Sequence, residues 1–490
     1  MSAVAGKGAP DRAAWLTLAV VVLLLALWRA WVAGGVPLSI DEAYYVAWSK
    51  TPDFGYWTKP PMIAWAIGAA RNVCGESAGC VRMVPVLAFP LATFLMYALA
   101  RRLSFTPWQA CAAALAFATL PMSAFYGIAA TTDGLLLLYW IAAALCLRIA
   151  LDGQRGAWLA AGLFGGLALL SKYSAAIFAV SAALALLHPQ WRHWWRSPWP
   201  WLAAAIAGAV FAPNLWWNLS HGMPTFAHTA EISEHGGYSV NPKAMLEFLV
   251  AQFGVGGPVL FGAFIVWLLS RRWREQADGW FLLSLGLPFL MVILLQALLS
   301  RANANWAAPA MVAISLAAMS LLLQHSRAWL VASFGINLLL ALLLYHFGTL
   351  VREPLGLPHR VRTDPFWATR NWPGICEQVR DVASRPPVAS EGMYVASDNR
   401  AVLAQLQATL ALRPGAALGW QRGAQPDNHF EQRFPLPSRP AFPVLLVTAA
   451  PADAVQAVFP GAQPAGSARS AQVADRPLAY GLWWILPAVN

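Results

Sequence analysis

Charge is what this sequence has least of. Only 11% of its residues are Asp, Glu, Lys or Arg, against about 25% in an ordinary soluble domain, and 59% are hydrophobic. With a mean hydropathy of +0.52, the chain is a polytopic membrane protein. Acidic residues are the scarcer sign, 22 against 33 basic ones, for a net charge of +11. The basic residues stand in short clusters between apolar runs, so they mark membrane topology and exclude a nucleic-acid partner. Cysteine is scarce too, at five. Cys111 and Cys146 lie in apolar runs and read as packing residues. Cys376 has no evident partner, and no Cys/His spacing matches a zinc site. Cys74 and Cys80, in "NVCGESAGC", stand at a spacing that a disulfide closes or that leaves two free thiols. Walker, Rossmann and zinc-finger patterns and solenoid repeats are absent.

What the chain has instead is apolar length. A crossing helix takes roughly 20 apolar residues, and such stretches recur at about 14–36, 83–100, 108–128, 133–150, 157–171, 173–188, 199–217, 245–269, 279–299, 306–323 and 328–349. The expected fold is an all-α polytopic membrane protein of about 11 transmembrane helices. The first span is too long, and its cleavage signal too weak, for a removed signal peptide. Lys7, Arg12, Arg101, Arg102, Arg155, Arg192, Arg196, Arg271, Arg272, Arg274 and Arg327 collect on one side. The positive-inside rule makes that side cytoplasmic, with the N-terminus inside. The Trp clusters of "HPQWRHWWRSPWPW" on the same side read as interfacial anchors. After residue 350 the sequence turns rich in Pro and charge and offers no further span. Residues 351–490 are expected to form a small α/β domain outside the membrane, and residues 1–350 the membrane domain, with a first outer loop at 37–80. "GICEQVRDVASR" and "NRAVLAQLQATLAL" have helical spacing; "GMYVAS" and "FPVLLVTA" read as short strands.

Polar chemistry gathers at the outer ends of the spans. "SIDEAYYVAWSK" places Asp41 and Glu42 just after the first span, followed by Tyr44 and Tyr45. A helix N-terminus with Asp41 as cap and Glu42 beside it explains the pair without function. "YWTKPPMIAW" brings Lys59 into the same loop on a stiff Pro-Pro segment. A carboxylate and a lysine there suit a general base and a clamp for a lipid phosphate. Asp133 ends an outer loop at bilayer depth, where an acidic residue is either functional or a helix cap. Lys172 and Tyr173 are snorkelling groups or ligands. Arg82 begins a span and suits a partnership with Asp133 or with a phosphate. Arg301, Asn303 and Asn305 in "LLSRANANWAAPA" favour anion or sugar binding. Residues 218–243, with three His, two Glu and Gly-Gly, read as a loop that covers substrate rather than as a metal site.

In this order the motifs resemble the GT-C glycosyltransferases of the protein O-mannosyltransferase superfamily, close to the bacterial branch that modifies lipid A with aminoarabinose or galacturonic acid. The resemblance rests on Asp41-Glu42 with "AYY", "KPP" at Lys59 to Pro61, Arg82, Asp133, "LLSKYSA" at Leu169 to Ala175, "PNLWWNLSHGMPTFAH" at Pro213 to His228 and "ANWAAPA" at Ala304 to Ala310. It spans roughly residues 14 to 350. It implies a transferase at the bacterial inner membrane, taking a sugar from a polyprenyl phosphate, with inversion, to a lipid or other envelope glycoconjugate on the periplasmic side. By the same resemblance, Asp41 is the base and Glu42 its orienting partner; Lys59, Arg82 and Arg301 hold the donor phosphate. Tyr44, Tyr45, Asp133, Lys172, Tyr173, Asn303 and Asn305 are expected to meet substrate. No cofactor and no metal are called for, and the protein is expected to be a monomer. Lys before Pro-Pro follows the aminoarabinose type while "LLSKY" and "ANWAAPA" are shared with other relatives, so sugar and acceptor stay open. Protein O-glycosylation and lipid-linked sugar transport are the competing functions.

Overall fold

The computed structural model describes residues 8–234, 239–274, 277–387 and 392–487. Its helices follow the apolar runs, with breaks that hydropathy does not show. α1 (Gly8–Gly35) is continuous; α2 (Ile40–Ser49) and α3 (Met62–Cys74) build the first loop, and α4 (Met83–Arg102) follows. The expected span 108–128 is split into α5 (Pro107–Ala118) and α6 (Pro121–Tyr126), since Pro121 lacks the N–H that would continue the helix. α7 (Thr132–Leu151) is whole. α8 (Gly156–Ser171) stops because Lys172 is extended, at φ −161 and ψ 134, before a turn of 3-10 helix and α9 (Ile177–Ala185). α10 (Trp199–Ser220) is followed by α11 (Pro224–Glu234), so the presumed covering loop contains a helix. His235, Gly236 and Gly237 of that loop lie outside the described residues. The run 245–269 divides into α12 (Pro242–Val255) and α13 (Pro258–Leu269), bent by 117°. Gly257 makes the bend at φ +79, where a Cβ would lie 2.4 Å from Asn337 Oδ1. α14 (Ala277–Leu299), α15 (Ala310–His325) and α16 (Arg327–Phe347) complete the apolar series.

Among the described residues six helices are long and apolar enough to cross a membrane, or seven with the bent pair as one span, and three shorter apolar helices accompany them. The expectation of about 11 transmembrane helices is corrected to that extent. Hydropathy records the apolar run, whereas prolines, a positive-φ glycine and one extended lysine cut it.

The chain divides into two compact units. One comprises residues 1–32, 58–63 and 82–345; the other comprises residues 33–57, 64–81 and 346–490. In the first, α4, α5, α7, α14 and α15 surround a core that includes Phe89, Phe117, Trp140, Phe281 and Phe289. α8 approaches α10 through Gly162 and Gly166, the small-residue spacing that lets membrane helices touch at the backbone. The Trp-rich segment is not all anchor. Trp191 and Trp194 are buried, Trp191 under the Arg148 guanidinium, while Trp195 and Trp201 are exposed. Burial follows because Arg148 is drawn inward by Asp152 and by Asp278, the latter at 2.8 Å, and Trp191 covers it.

The second unit is α/β. A five-stranded sheet has the order β2-β1-β3-β5-β4, with β1 (Val395–Ser397), β2 (Ala417–Gly419), β3 (Val444–Thr448), β4 (Gln463–Ser470) and β5 (Leu478–Ile485). β1 is parallel to β2 and β3; β5 is antiparallel to β3 and β4. α17 (Trp372–Ala383) and α18 (Arg400–Thr409) occupy the segments read as helices, and β1 and β3 those read as strands. α17 covers the outer edge of β4, where the Gln378 amide donates to Arg469 O and accepts from its N–H. α19 (His429–Arg433) and α20 (Ala452–Val458) are short. Most of the first loop packs in this unit, α2 against α18. Cys74 and Cys80 are joined in a disulfide that closes the loop's end.

Candidate functional site

α2 begins with a capping box. Ser39, rather than Asp41, is the N-cap: its Oγ accepts the Glu42 N–H at 3.3 Å, and Glu42 Oε2 accepts the Ser39 N–H at 2.8 Å. This arrangement separates the two carboxylates. Glu42 is turned back on the chain and is 1% exposed; Asp41, one position earlier, is exposed in the first turn.

Behind the acidic turn α2 is anchored by its aromatic face. The Tyr44 hydroxyl accepts the His429 N–H at 2.8 Å, and the Arg400 guanidinium lies 5.3 Å from the Tyr44 ring. Tyr45 is buried against Trp48, and Trp48 stacks on Tyr56 at 4.7 Å. Gln405 donates to Leu38 O at 3.0 Å, Lys50 to Leu412 O at 2.8 Å, and Arg433 pairs with Asp53 at 3.2 Å. Burial raises the Tyr44 phenol well above its ordinary value. The same cause, helped by Arg433, lowers His429 to about 3, so this imidazole is neutral.

In the first unit, Asp133 and Lys172 meet. The lysine Nζ donates to Asp133 Oδ1 at 2.8 Å, and Asp133 is 6% exposed. The sequence suggests Arg82 as a partner for Asp133; the structure pairs Asp133 with Lys172. The helix break at Lys172 lets the pair form, because an extended residue between α8 and the 3-10 turn swings its side chain out of the helical row. Tyr173 belongs to another network. Its hydroxyl donates to Asn214 Oδ1 at 2.9 Å and accepts from Asn218 Nδ2 at 3.1 Å, while its ring stacks on Phe226 at 4.6 Å. Asn218 Oδ1 in turn accepts the Thr225 N–H at 3.3 Å. Asn214 and Asn218 sit at i and i+4 on α10 within "PNLWWNLS", a spacing that places both on one face.

Asn305 lies in a 3-10 turn, Ala304–Ala307, before α15, close to the Tyr126 hydroxyl, and Asp133 is near the same phenol. Gln252 of α12 fixes this turn by donating to Ala304 O at 3.0 Å. Asn303 and Arg301 are exposed in the segment before it. Lys59 is half-buried ahead of α3, and Arg82 is buried at the residue that precedes α4. Asp41, Glu42, Tyr44 and Tyr45 thus belong to the second unit, and Lys59, Arg82, Asp133, Lys172, Tyr173, Arg301, Asn303 and Asn305 to the first. Tyr126 and Gln252 are not singled out in the sequence, and Asn214 and Asn218 stand there only within the motif Pro213 to His228, with no role of their own. Among the described residues no group of three or more His, Cys, Asp or Glu is arranged to hold a metal ion.

Chemically, these groups offer an exposed carboxylate on a rigid helix, three basic side chains and a polar set around Asp133. Known proteins give these features a context. The profile of the dolichyl-phosphate-mannose-protein mannosyltransferase family matches residues 58–217. A lipid A galacturonosyltransferase of Rhizobium johnstonii is 34% identical over 436 residues, 87% of this chain and 90% of that protein. A lipopolysaccharide core galacturonosyltransferase of the same organism is 31% identical over 52% of this chain and 54% of its own. The crystal structure of ArnT from Cupriavidus metallidurans bound to undecaprenyl phosphate superposes with a TM-score of 0.68, at 15% identity, over 96% of this chain and 99% of that one.

Proposed function

We propose, from the premise that this chain belongs to the polyprenyl-phosphate-sugar-dependent glycosyltransferases of the protein O-mannosyltransferase superfamily, that it moves a sugar from undecaprenyl phosphate to lipid A. A uronic acid is the sugar, in keeping with the relative that matches over most of the chain. The observation that carries the catalytic assignment is the division of labour at the start of α2. Glu42 is engaged in the capping box and buried, so Asp41 is the carboxylate left exposed in that turn.

In the reaction, an acceptor hydroxyl attacks the anomeric carbon, its proton passes to Asp41, and the bond from that carbon to the phosphate oxygen breaks. The electron pair leaves with undecaprenyl phosphate, and direct displacement inverts the centre. Lys59, Arg82 and Arg301 take the role of countercharges for the phosphate, whose negative charge grows as the sugar departs. Asp133, Lys172, Asn303 and Asn305 serve sugar contacts. Tyr44, Tyr45 and Tyr173 hold the helices that present these groups. The protein acts as a monomer in the bacterial inner membrane with its N-terminus cytoplasmic and residues 351–490 periplasmic. α8, α9, α15 and the bent pair are read as further crossings.

The test is transfer by the purified protein supplied with undecaprenyl-phosphate galacturonic acid or aminoarabinose and with lipid A or a peptide acceptor. Asp41→Asn is expected to lower kcat by about 10²- to 10⁴-fold while donor binding persists. Full activity of that variant would sink the assignment of the base. Turnover of the aminoarabinose donor alone would overturn the sugar, and turnover only with peptide the acceptor.

A further inference from the structure

One charge in the first unit has no part in the mechanism above. Arg29 lies within α1, about two turns from its outer end, and is 4% exposed. A buried arginine in a membrane-spanning helix ordinarily faces a carboxylate or a functional path. Among the described residues, no Asp or Glu forms an ion pair with Arg29. Its Nη2 donates to Ala118 O at 2.6 Å, its Cζ lies 5.4 Å from the centre of the Phe89 ring, and the Tyr345 hydroxyl lies near the guanidinium. Tyr345 donates to Ala124 O at 2.6 Å, and Trp28 packs edge-on against its ring at 4.8 Å. Gly127 leaves the guanidinium its room, since a Cβ there would stand 2.6 Å from Arg29 Nε.

Ala118, Ala124 and Gly127 lie along the break between α5 and α6. Ala118 closes α5, so its carbonyl is one of the last-turn acceptors that a helix end leaves without an N–H and that carry its partial negative charge. Ala124 lies within α6 and Gly127 just after it. Arg29 and Tyr345 therefore pin both sides of the break. Their counterpart is the α5 end instead of an acid. What the break delivers is Tyr126, whose hydroxyl stands close to Asn305 and to Asp133, the latter paired with Lys172.

We propose that Arg29 is a positioning residue for sugar transfer: by capping the end of α5 from within α1, it sets α6 so that Tyr126 fixes Asn305 next to the Asp133–Lys172 pair. The proposal rests on the reading of Asn305 and Asp133 as substrate contacts. Arg29 itself touches no reacting atom, and its influence is on the geometry with which donor is received.

The test uses full-length protein in detergent, with KM for the donor, kcat and thermal midpoint measured for Arg29→Met, Arg29→Lys, Tyr345→Phe, Tyr126→Phe, Asn305→Ala and the double variant Arg29→Met/Tyr126→Phe. Arg29→Met is expected to raise donor KM about tenfold, and Arg29→Lys to recover part of that loss, since a lysine reaches one carbonyl without the fork. In the Tyr126→Phe background the same change is expected to add less than about threefold, as groups acting through one another are not additive. Full, multiplicative effects in both backgrounds would overturn the proposal, as would an Arg29→Met protein with unchanged KM. If Arg29→Met does not fold, Tyr345→Phe decides: it removes one hydroxyl from the pin and is expected to raise KM in the same direction, and an unchanged KM overturns the proposal. Unchanged KM in both Tyr126→Phe and Asn305→Ala would instead remove the substrate reading on which it rests.

Discussion

His429 shows how far a fold can take one residue from its ordinary chemistry. The ring is 5% exposed, its Nε2 has no hydrogen-bond partner among the described residues, and Tyr44, Trp48, Tyr56, Phe430 and Phe434 surround it. Burial first, then Arg433, brings its pKa from the ordinary 6.5 to about 3. The sign of the consequence follows from proton uptake. Between these values the unfolded chain binds a proton that the folded one refuses, so stability is full above about pH 6.5 and is lost as pH falls toward 3. The slope is about 1.4 kcal/mol per pH unit. The thermal midpoint of the second unit is expected to drop from pH 7 to pH 5 in wild type and to drop less in His429→Gln, and equal drops would contradict the linkage. The same residue marks a limit of sequence reading. Asp41, Glu42, Asp133 and Lys172 stand out by type and position, since acids and lysines are rare in such a chain. The Asp133–Lys172 pair does not, because 39 residues separate the two and only the folded chain brings Nζ to Oδ1. Tyr126 and His429 give no signal, being an aromatic and a histidine among many.

At the scale of the element, the sequence yields the apolar runs and not their interruptions. α1, α7, α10 and α14 fall where 20-odd apolar residues predict them. The breaks at Pro121, Lys172 and Gly257 each turn on one residue, and a hydropathy window averages one residue away. Glycine contact is equally invisible to such averages. A Cβ at Gly162 would lie 2.3 Å from Ala203 O, a backbone atom unable to step aside, whereas one at Gly165 meets nothing closer than 4.0 Å. Gly162→Val is therefore expected to separate α8 from α10 and destabilise the first unit by about 1–3 kcal/mol, the usual range for overpacking. Gly165→Ala is expected to be neutral. Thermal midpoints of the two purified variants in one detergent check this, and equal midpoints would mean that the α8–α10 contact does not limit stability. The C-terminal sheet shows a matching asymmetry. β1 and β3 are apolar enough to be read in advance, while β4, "QPAGSARS", carries Pro464, Gly466 and an exposed pattern and is recognisable only by its pairing with β5.

For the whole molecule, the order of the chain and the order of its cores differ. A reading along the sequence puts the acidic first loop with the membrane helices it interrupts. The folded chain gives residues 33–57 and 64–81 a common core with residues 346–490. Nothing in the periodicity of α2 announces this, since Ala43, Tyr44, Tyr45, Val46, Ala47 and Trp48 are all apolar or aromatic and would suit a membrane surface as well. What decides is a set of long-range contacts: Tyr44 with His429 and Phe430, Gln405 with Leu38, and Lys50 with Leu412. Large side chains such as Tyr44 and Trp48 each gain about 1.5–3 kcal/mol from this burial, and α2 has ten residues, too few for a helix to hold alone. A chain ended at residue 352 is thus expected to retain the core of its first unit but to lose α2 as an ordered helix. Limited trypsin digestion reads this directly. Lys50 is nearly buried in the intact protein, with its Nζ on Leu412 O; in the shortened chain cleavage after Lys50 should become fast, while the Lys59–Pro60 bond, which trypsin does not cut, stays whole in both. Equal protection of Lys50 in the two proteins would show that α2 owes its order to the rest of the first loop and not to the C-terminal segment.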